Sequence, residues 1–100
     1  MTGRRVENPY NITSEPIKPG DYWKDRDGHW QVVAPVPRDD DGFLLMADVS
    51  TWSVTEHEDR TITVSPSIFW GARGYPTSTR EWAVKHTWHG WLEHGVWREA

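Results

Sequence analysis

Short runs in which polar and apolar residues alternate, each ending at a turn-forming segment, constrain the fold of this chain most. Residues 21–33 place two aromatic and β-branched runs around Asp27-Gly28, residues 51–55 and 61–64 flank a polar turn, and residues 88–98 turn at Glu93-His94-Gly95. Alternation with period two is typical of β-strands, and glycine provides the left-handed conformation that tight hairpin turns require. We therefore predict an all-β fold, a small antiparallel barrel or sandwich of hairpins.

The hairpins occupy residues 21–100, which we interpret as a single domain. Residues 1–20 carry three prolines and no sustained period, so we predict an extended N-terminal arm or tail, with docking along a sheet edge as the ordered alternative. Residues 43–47 are apolar on both faces and are predicted to be the most buried strand. The strand that begins near Thr61 is predicted to end at Pro66. Residues 79–86 fit either a short helix or a strand, whereas residues 87–92 favour a strand.

Tryptophan has to fill much of the core, because the chain has 8 Trp but few aliphatic residues. In the last hairpin, a three-residue loop at 93–95 would make Leu92 oppose Val96 and Trp91 oppose Trp97. One face is then aliphatic and the other carries a tryptophan pair. This second face is either part of a closed core or a binding surface.

Composition excludes several classes of function. The net charge is −4 and the basic residues are scattered, which argues against nucleic acid as a partner. The absence of cysteine excludes disulfides, thiolate metal sites and thiol nucleophiles. There is no apolar run of membrane-spanning length and no signal-peptide pattern, so a cytosolic protein without membrane association is expected.

Five residues could in principle supply a metal site: His86 and His89, completed by Glu81, His57 or His94. Zinc needs three or four converging ligands, and histidines three apart point to opposite faces of a strand. We therefore expect neither a metal nor a cofactor.

Catalysis is also not expected. The acidic clusters at residues 39–41 and 56–59 lie at predicted exposed turns, where nothing raises a carboxyl pKa for acid–base work. Ser65 and Ser67 flank Pro66 without the glycines of a nucleophile elbow. The sequence therefore predicts a protein that is not an enzyme.

Two stretches, residues 62–68 (ITVSPSI) and 88–97 (WHGWLEHGVW), resemble the signature stretches of an uncharacterised family of small bacteriophage proteins, notably from phages of actinobacteria, with members in some bacteria. The resemblance covers roughly residues 51–98. It implies a phage accessory protein in the host cytoplasm, with no known reaction. Relatives often carry a cysteine where this chain has Trp88, so a thiol-based role cannot operate here.

These observations lead to a non-enzymatic protein that binds a host protein, a phage protein or its own second copy through a tryptophan-rich hairpin face. The predicted binding residues are Trp91, Trp97, His89, Arg98 and Trp30. The alternative is a protein that sequesters a small ligand such as a nucleotide signal, and a third possibility is a structural protein of the virion.

Overall fold

The computed structural model describes residues 1–7, 16–36, 44–70 and 87–100, and this part of the chain is all-β. Two four-stranded sheets pack as a sandwich, in the orders β1-β2-β3-β4 and β5-β6-β7-β8. The all-β prediction is confirmed in its sandwich form, since the described strands do not close into a barrel. The strands are β1 Arg4–Arg5, β2 Asp21–Lys24, β3 Trp30–Val33, β4 Met46–Asp48, β5 Ser53–Glu56, β6 Ile62–Trp70, β7 Trp88–Glu93 and β8 Val96–Glu99.

The predicted hairpin around Asp27-Gly28 is confirmed as β2 and β3. Tyr22 pairs with Val32, and Gly28 adopts the left-handed conformation (φ 81°) in the connecting loop. The strand predicted at residues 43–47 appears as β4, partly outside the described residues. Among the described strands it pairs with β3 alone, and Met46 is exposed, so the prediction that it is the most buried strand was wrong.

The second predicted hairpin is confirmed as β5 and β6. Val54 pairs with Val64, and both face the core together with Ile62. The predicted strand end at Pro66 was wrong, because β6 continues to Trp70. The pairing of β6 with β7 shifts register between Val64 and Ile68, and an irregularity of this kind lets a strand accommodate a residue without an N–H.

The last hairpin turns through two residues rather than the predicted three. His94 and Gly95 both have positive φ (47° and 73°), as a two-residue type I′ turn requires. Leu92 therefore pairs with Trp97, and the predicted pairing of Trp91 with Trp97 was wrong. A one-residue slip of register moves every side chain of a strand to the other face, so Trp91 and Trp97 lie on opposite faces of the sheet. The predicted strand at residues 87–92 is confirmed by β7, and residues 79–86 lie outside the described part.

The first seven residues of the predicted arm lie against both sheets. The Gly3 N–H donates to the Gly95 carbonyl at 2.7 Å, beside β8, while β1 runs parallel to β2. Arg4 forms a bidentate ion pair with the buried Asp21, with Nε–Oδ1 and Nη2–Oδ2 distances of 3.1 and 2.9 Å. The N-terminal segment, residues 1–7, thus links the two sheets along one side of the sandwich.

Tryptophans form much of the core, as the composition indicates. Trp70, Trp88 and Trp97 pack with ring centroids 5.4 to 6.0 Å apart, and the Trp97 indole N–H donates to the Gly20 carbonyl at 3.0 Å. This core joins side chains of both sheets. No helix within the described residues is long and apolar enough to cross a membrane.

Candidate functional site: the outer face of β6 to β8

The sheet β5-β6-β7-β8 has one surface against the core and one directed away from it. Residues on the second surface alternate with the core residues of β6, β7 and β8. We call the following set the outer face: Ser67, Phe69, His89, Trp91, Glu93, Val96 and Arg98. It contains aromatic, apolar and charged side chains within three neighbouring strands.

Trp91 lies at the centre of the outer face. It pairs with Arg98 across β7 and β8, and the Arg98 guanidinium lies 4.3 Å from the centroid of the Trp91 ring, a cation–π contact. Arg98 Nη2 also donates to Glu93 Oε1 at 3.0 Å. The guanidinium is therefore oriented by an indole and a carboxylate together.

A second group lies toward β6. Phe69 pairs with His89, and their rings meet edge to face with centroids 5.9 Å apart. His89 Nε2 and Ser67 Oγ form a hydrogen bond of 2.9 Å. His89 also lies 6.1 Å from the Trp91 ring, so the aromatic side chains are contiguous.

The structure brings together three of the five predicted binding residues, His89, Trp91 and Arg98. Trp97 is only 3% exposed and lies in the core on the opposite side of the sheet, because of the two-residue turn. Trp30 is 7% exposed and belongs to β3 of the other sheet. These two residues are therefore not part of the outer face.

Sequence reasoning missed Phe69, Glu93 and Val96. Phe69 was missed because the strand was expected to end at Pro66, three residues before it. Glu93 was placed in the loop rather than at the end of a strand. The signal that could have identified Glu93 and Val96 is His94-Gly95 itself, since a residue that tolerates positive φ followed by glycine is typical of a two-residue turn.

The histidines considered for a metal are dispersed in the structure. His57 and His94 stack with ring centroids 3.7 Å apart, whereas His89 lies on the outer face and is bonded to Ser67. Glu81 and His86 lie outside the described residues. Within the described residues, no group of three or more His, Asp or Glu side chains is placed to hold a metal ion.

A further titratable pair lies on the other sheet. His29 Nδ1 lies 3.0 Å from Asp48 Oδ2, and this hydrogen bond raises the pKa of His29. Hydrogen bonds from the Ser50 hydroxyl and backbone N–H, together with His29, lower the pKa of Asp48 to about 2. Both side chains are about half exposed, so the pair is a surface feature.

Comparison with known proteins adds no relative: no protein-family model, no curated protein and no solved structure matches the chain. The structure itself places the chain in the class of all-β domains built from two sheets. Its buried tryptophan cluster lies on one side of a sheet whose other side is the outer face.

Proposed function

We propose that this chain is a non-enzymatic binding protein that holds a protein partner through the outer face. The observation that carries the proposal is the exposure of Phe69, 62%, next to His89 and Trp91. Tryptophan, arginine and other large side chains at the centre of a patch supply most of the energy in protein interfaces. An exposed Phe contiguous with Trp91 and Arg98 has this composition.

A protein partner fits the outer face better than a flat small ligand does. Arg98 lies over the Trp91 ring, so the ring surface on which a nucleobase or a sugar would stack is already occupied. Trp97 and Trp30, two of the predicted binding residues, are buried in the core. Sequestration of a nucleotide signal remains the second candidate, and quenching of tryptophan fluorescence by added nucleotides would favour it.

We propose further that the protein is a phage-encoded accessory protein that acts in the cytoplasm of an actinobacterial host. This part of the proposal is based on the resemblance of residues 62–68 and 88–97 alone. A place in the virion is the competing possibility, and detection of the protein in purified particles by mass spectrometry would favour it.

The test compares the wild-type protein with Phe69→Ser and with a control, Thr55→Ala. Phe69 and Thr55 are both exposed on the same side of this sheet, but Thr55 lies on β5, away from the aromatic group. Each immobilised protein is offered an actinobacterial extract and, separately, a differently tagged copy of the chain. We expect binding to be retained by the control and lost by Phe69→Ser, with unchanged melting temperatures. Binding that is absent from the wild type in both experiments, or equal in all three proteins, contradicts the proposal.

A further inference from the structure

We infer that the partner of the outer face is a second copy of this chain, because Phe69, Trp91 and Val96 form an apolar diagonal with Arg98 on one side and Glu93 on the other. The two copies pack face to face about a two-fold axis along this diagonal. The inference depends on the proposed function, since it names the partner of the same surface.

The diagonal follows from the strand register. Phe69 pairs with His89, Trp91 with Arg98, and Glu93 with Val96. Trp91 therefore lies on the strand next to Phe69, two residues along β7 from His89, which is the partner of Phe69. Val96 lies in the same way on the strand next to Trp91, two residues along β8 from Arg98, which is the partner of Trp91. The three apolar side chains consequently lie on one line across β6, β7 and β8, with Phe69 62% and Val96 45% exposed at its ends.

Polar residues lie on both sides of this line, with a positive charge on one side and a negative charge on the other. Arg98 and His89 lie on one side, whereas Glu93 and Ser67 lie on the other. Arg98 and Glu93 are already 3.0 Å apart within one copy, with 64% and 55% of their side chains exposed. Because more than half of each side chain is exposed, a partner can reach both members of this ion pair.

A two-fold axis along the diagonal makes this pattern complementary to itself. In a two-fold interface, each contact occurs twice, with the roles of the copies exchanged. Each apolar residue meets its own equivalent, each Arg98 meets Glu93 of the second copy, and each His89 meets Ser67. One Arg and one Glu give the outer face no net formal charge, whereas the whole chain carries −4. The face is thus a surface on which two acidic copies can approach without net repulsion.

The size of the surface sets the expected affinity. Seven residues from each copy form an interface smaller than the usual 20–30 residues on each side, so we expect a dissociation constant of roughly 1–100 µM. Sedimentation equilibrium from about 1 µM to 1 mM covers this range.

Charge reversal tests the arrangement directly. Glu93→Arg gives every copy two positive charges on the outer face and Arg98→Glu gives two negative charges, so each variant alone should dimerise at least roughly tenfold more weakly than wild type. An equimolar mixture of the two variants should restore dimers that contain one copy of each. The control Glu58→Arg changes the net charge as Glu93→Arg does, but in the exposed turn after β5, and should dimerise as wild type does. Circular dichroism melts establish that all the variants are folded.

A wild-type protein that stays monomeric up to 1 mM overturns the inference, as does a Glu93→Arg variant that dimerises normally. A mixture that fails to associate overturns the proposed axis. The extract experiment tests the proposed function separately. If the wild type is monomeric but captures a protein from the extract that Phe69→Ser does not capture, the partner is a different protein and only the dimer inference fails. If that extract experiment is also negative, both proposals fall.

Discussion

The separation of Trp91 and Trp97 onto opposite faces predicts opposite responses to substitution. Trp97 is 3% exposed, contacts Trp70 and Trp88, and donates its indole N–H to the Gly20 carbonyl. Removing a buried Trp side chain costs about 3–5 kcal/mol, a figure that includes the loss of its hydrogen bond. The Gly20 carbonyl keeps one hydrogen bond, from the Arg4 backbone N–H at 3.3 Å. Small domains have only about 5–15 kcal/mol of stability, so Trp97→Ala should lose a large fraction of it and melt at least about 12 °C below wild type.

Trp97→Phe removes the indole N–H and leaves a smaller ring in the core, so a loss of about 1–3 kcal/mol is expected, which is about 5–20 °C in melting temperature. Trp91→Ala removes a partly exposed ring and its contact with Arg98, about 0.5–1 kcal/mol, so its melting temperature should fall by less than about 8 °C. Thermal melts followed by circular dichroism compare the three variants with wild type. A Trp97→Phe protein as stable as wild type, or a Trp91→Ala protein that is unfolded, would refute the assignment of the two faces.

Three further substitutions probe other parts of the structure. Gly90→Ala should destabilise the protein by about 1–3 kcal/mol in chemical denaturation, because the added methyl group collides with the backbone of β8; an unchanged midpoint would contradict this packing. In Gly3→Ala, the added methyl group would lie 2.8 Å from the indole nitrogen of Trp97, so the N-terminal segment should detach. The Trp97 backbone N–H, which donates to the Met1 carbonyl, should then exchange its hydrogen at least roughly tenfold faster than in wild type. Equal exchange rates would count against the contact. His29→Gln should lower the melting temperature most between about pH 4 and 6.5. Because the pKa of His29 is raised in the folded protein, its stabilising effect is complete below the pKa of the unfolded chain and is lost as the pH rises. Because the pKa of Asp48 is lowered to about 2, its stabilising effect is lost as the pH falls toward that value. An equal difference at all pH values would show that the ion pair contributes nothing.

Local patterns were sufficient to predict the hairpins but not their register. Alternation and turn residues predict β2 with β3, β5 with β6, and β7 with β8, because each depends on neighbours in sequence. Loop length is a weaker signal. Reading three loop residues instead of His94-Gly95 shifted one strand by one residue, and that was enough to place Trp97 on the wrong face.

The features that the sequence did not predict depend on contacts between residues far apart in the chain. The continuation of β6 past Pro66 depends on a register shift against β7, some 25 residues later in the chain, and without it Phe69 cannot be assigned to a face. The position of the first residues depends on partners at both ends of the sequence. The candidate site was therefore only partly predictable: its β7 and β8 residues follow from a hairpin, while its two β6 residues follow from sheet assembly.

The N-terminal segment that links the two sheets also has a consequence for the order of folding. Its first residue bonds the backbone of Trp97, a separation of 96 positions, whereas the hairpin contacts close loops of only a few residues. Closing the longest loop carries the largest entropic cost, and its partner edge exists only once β7 and β8 have paired. We therefore expect this segment to add late to an otherwise assembled sandwich and to be absent from the folding nucleus. Substitutions in residues 1–3 should accordingly accelerate unfolding while leaving the folding rate nearly unchanged.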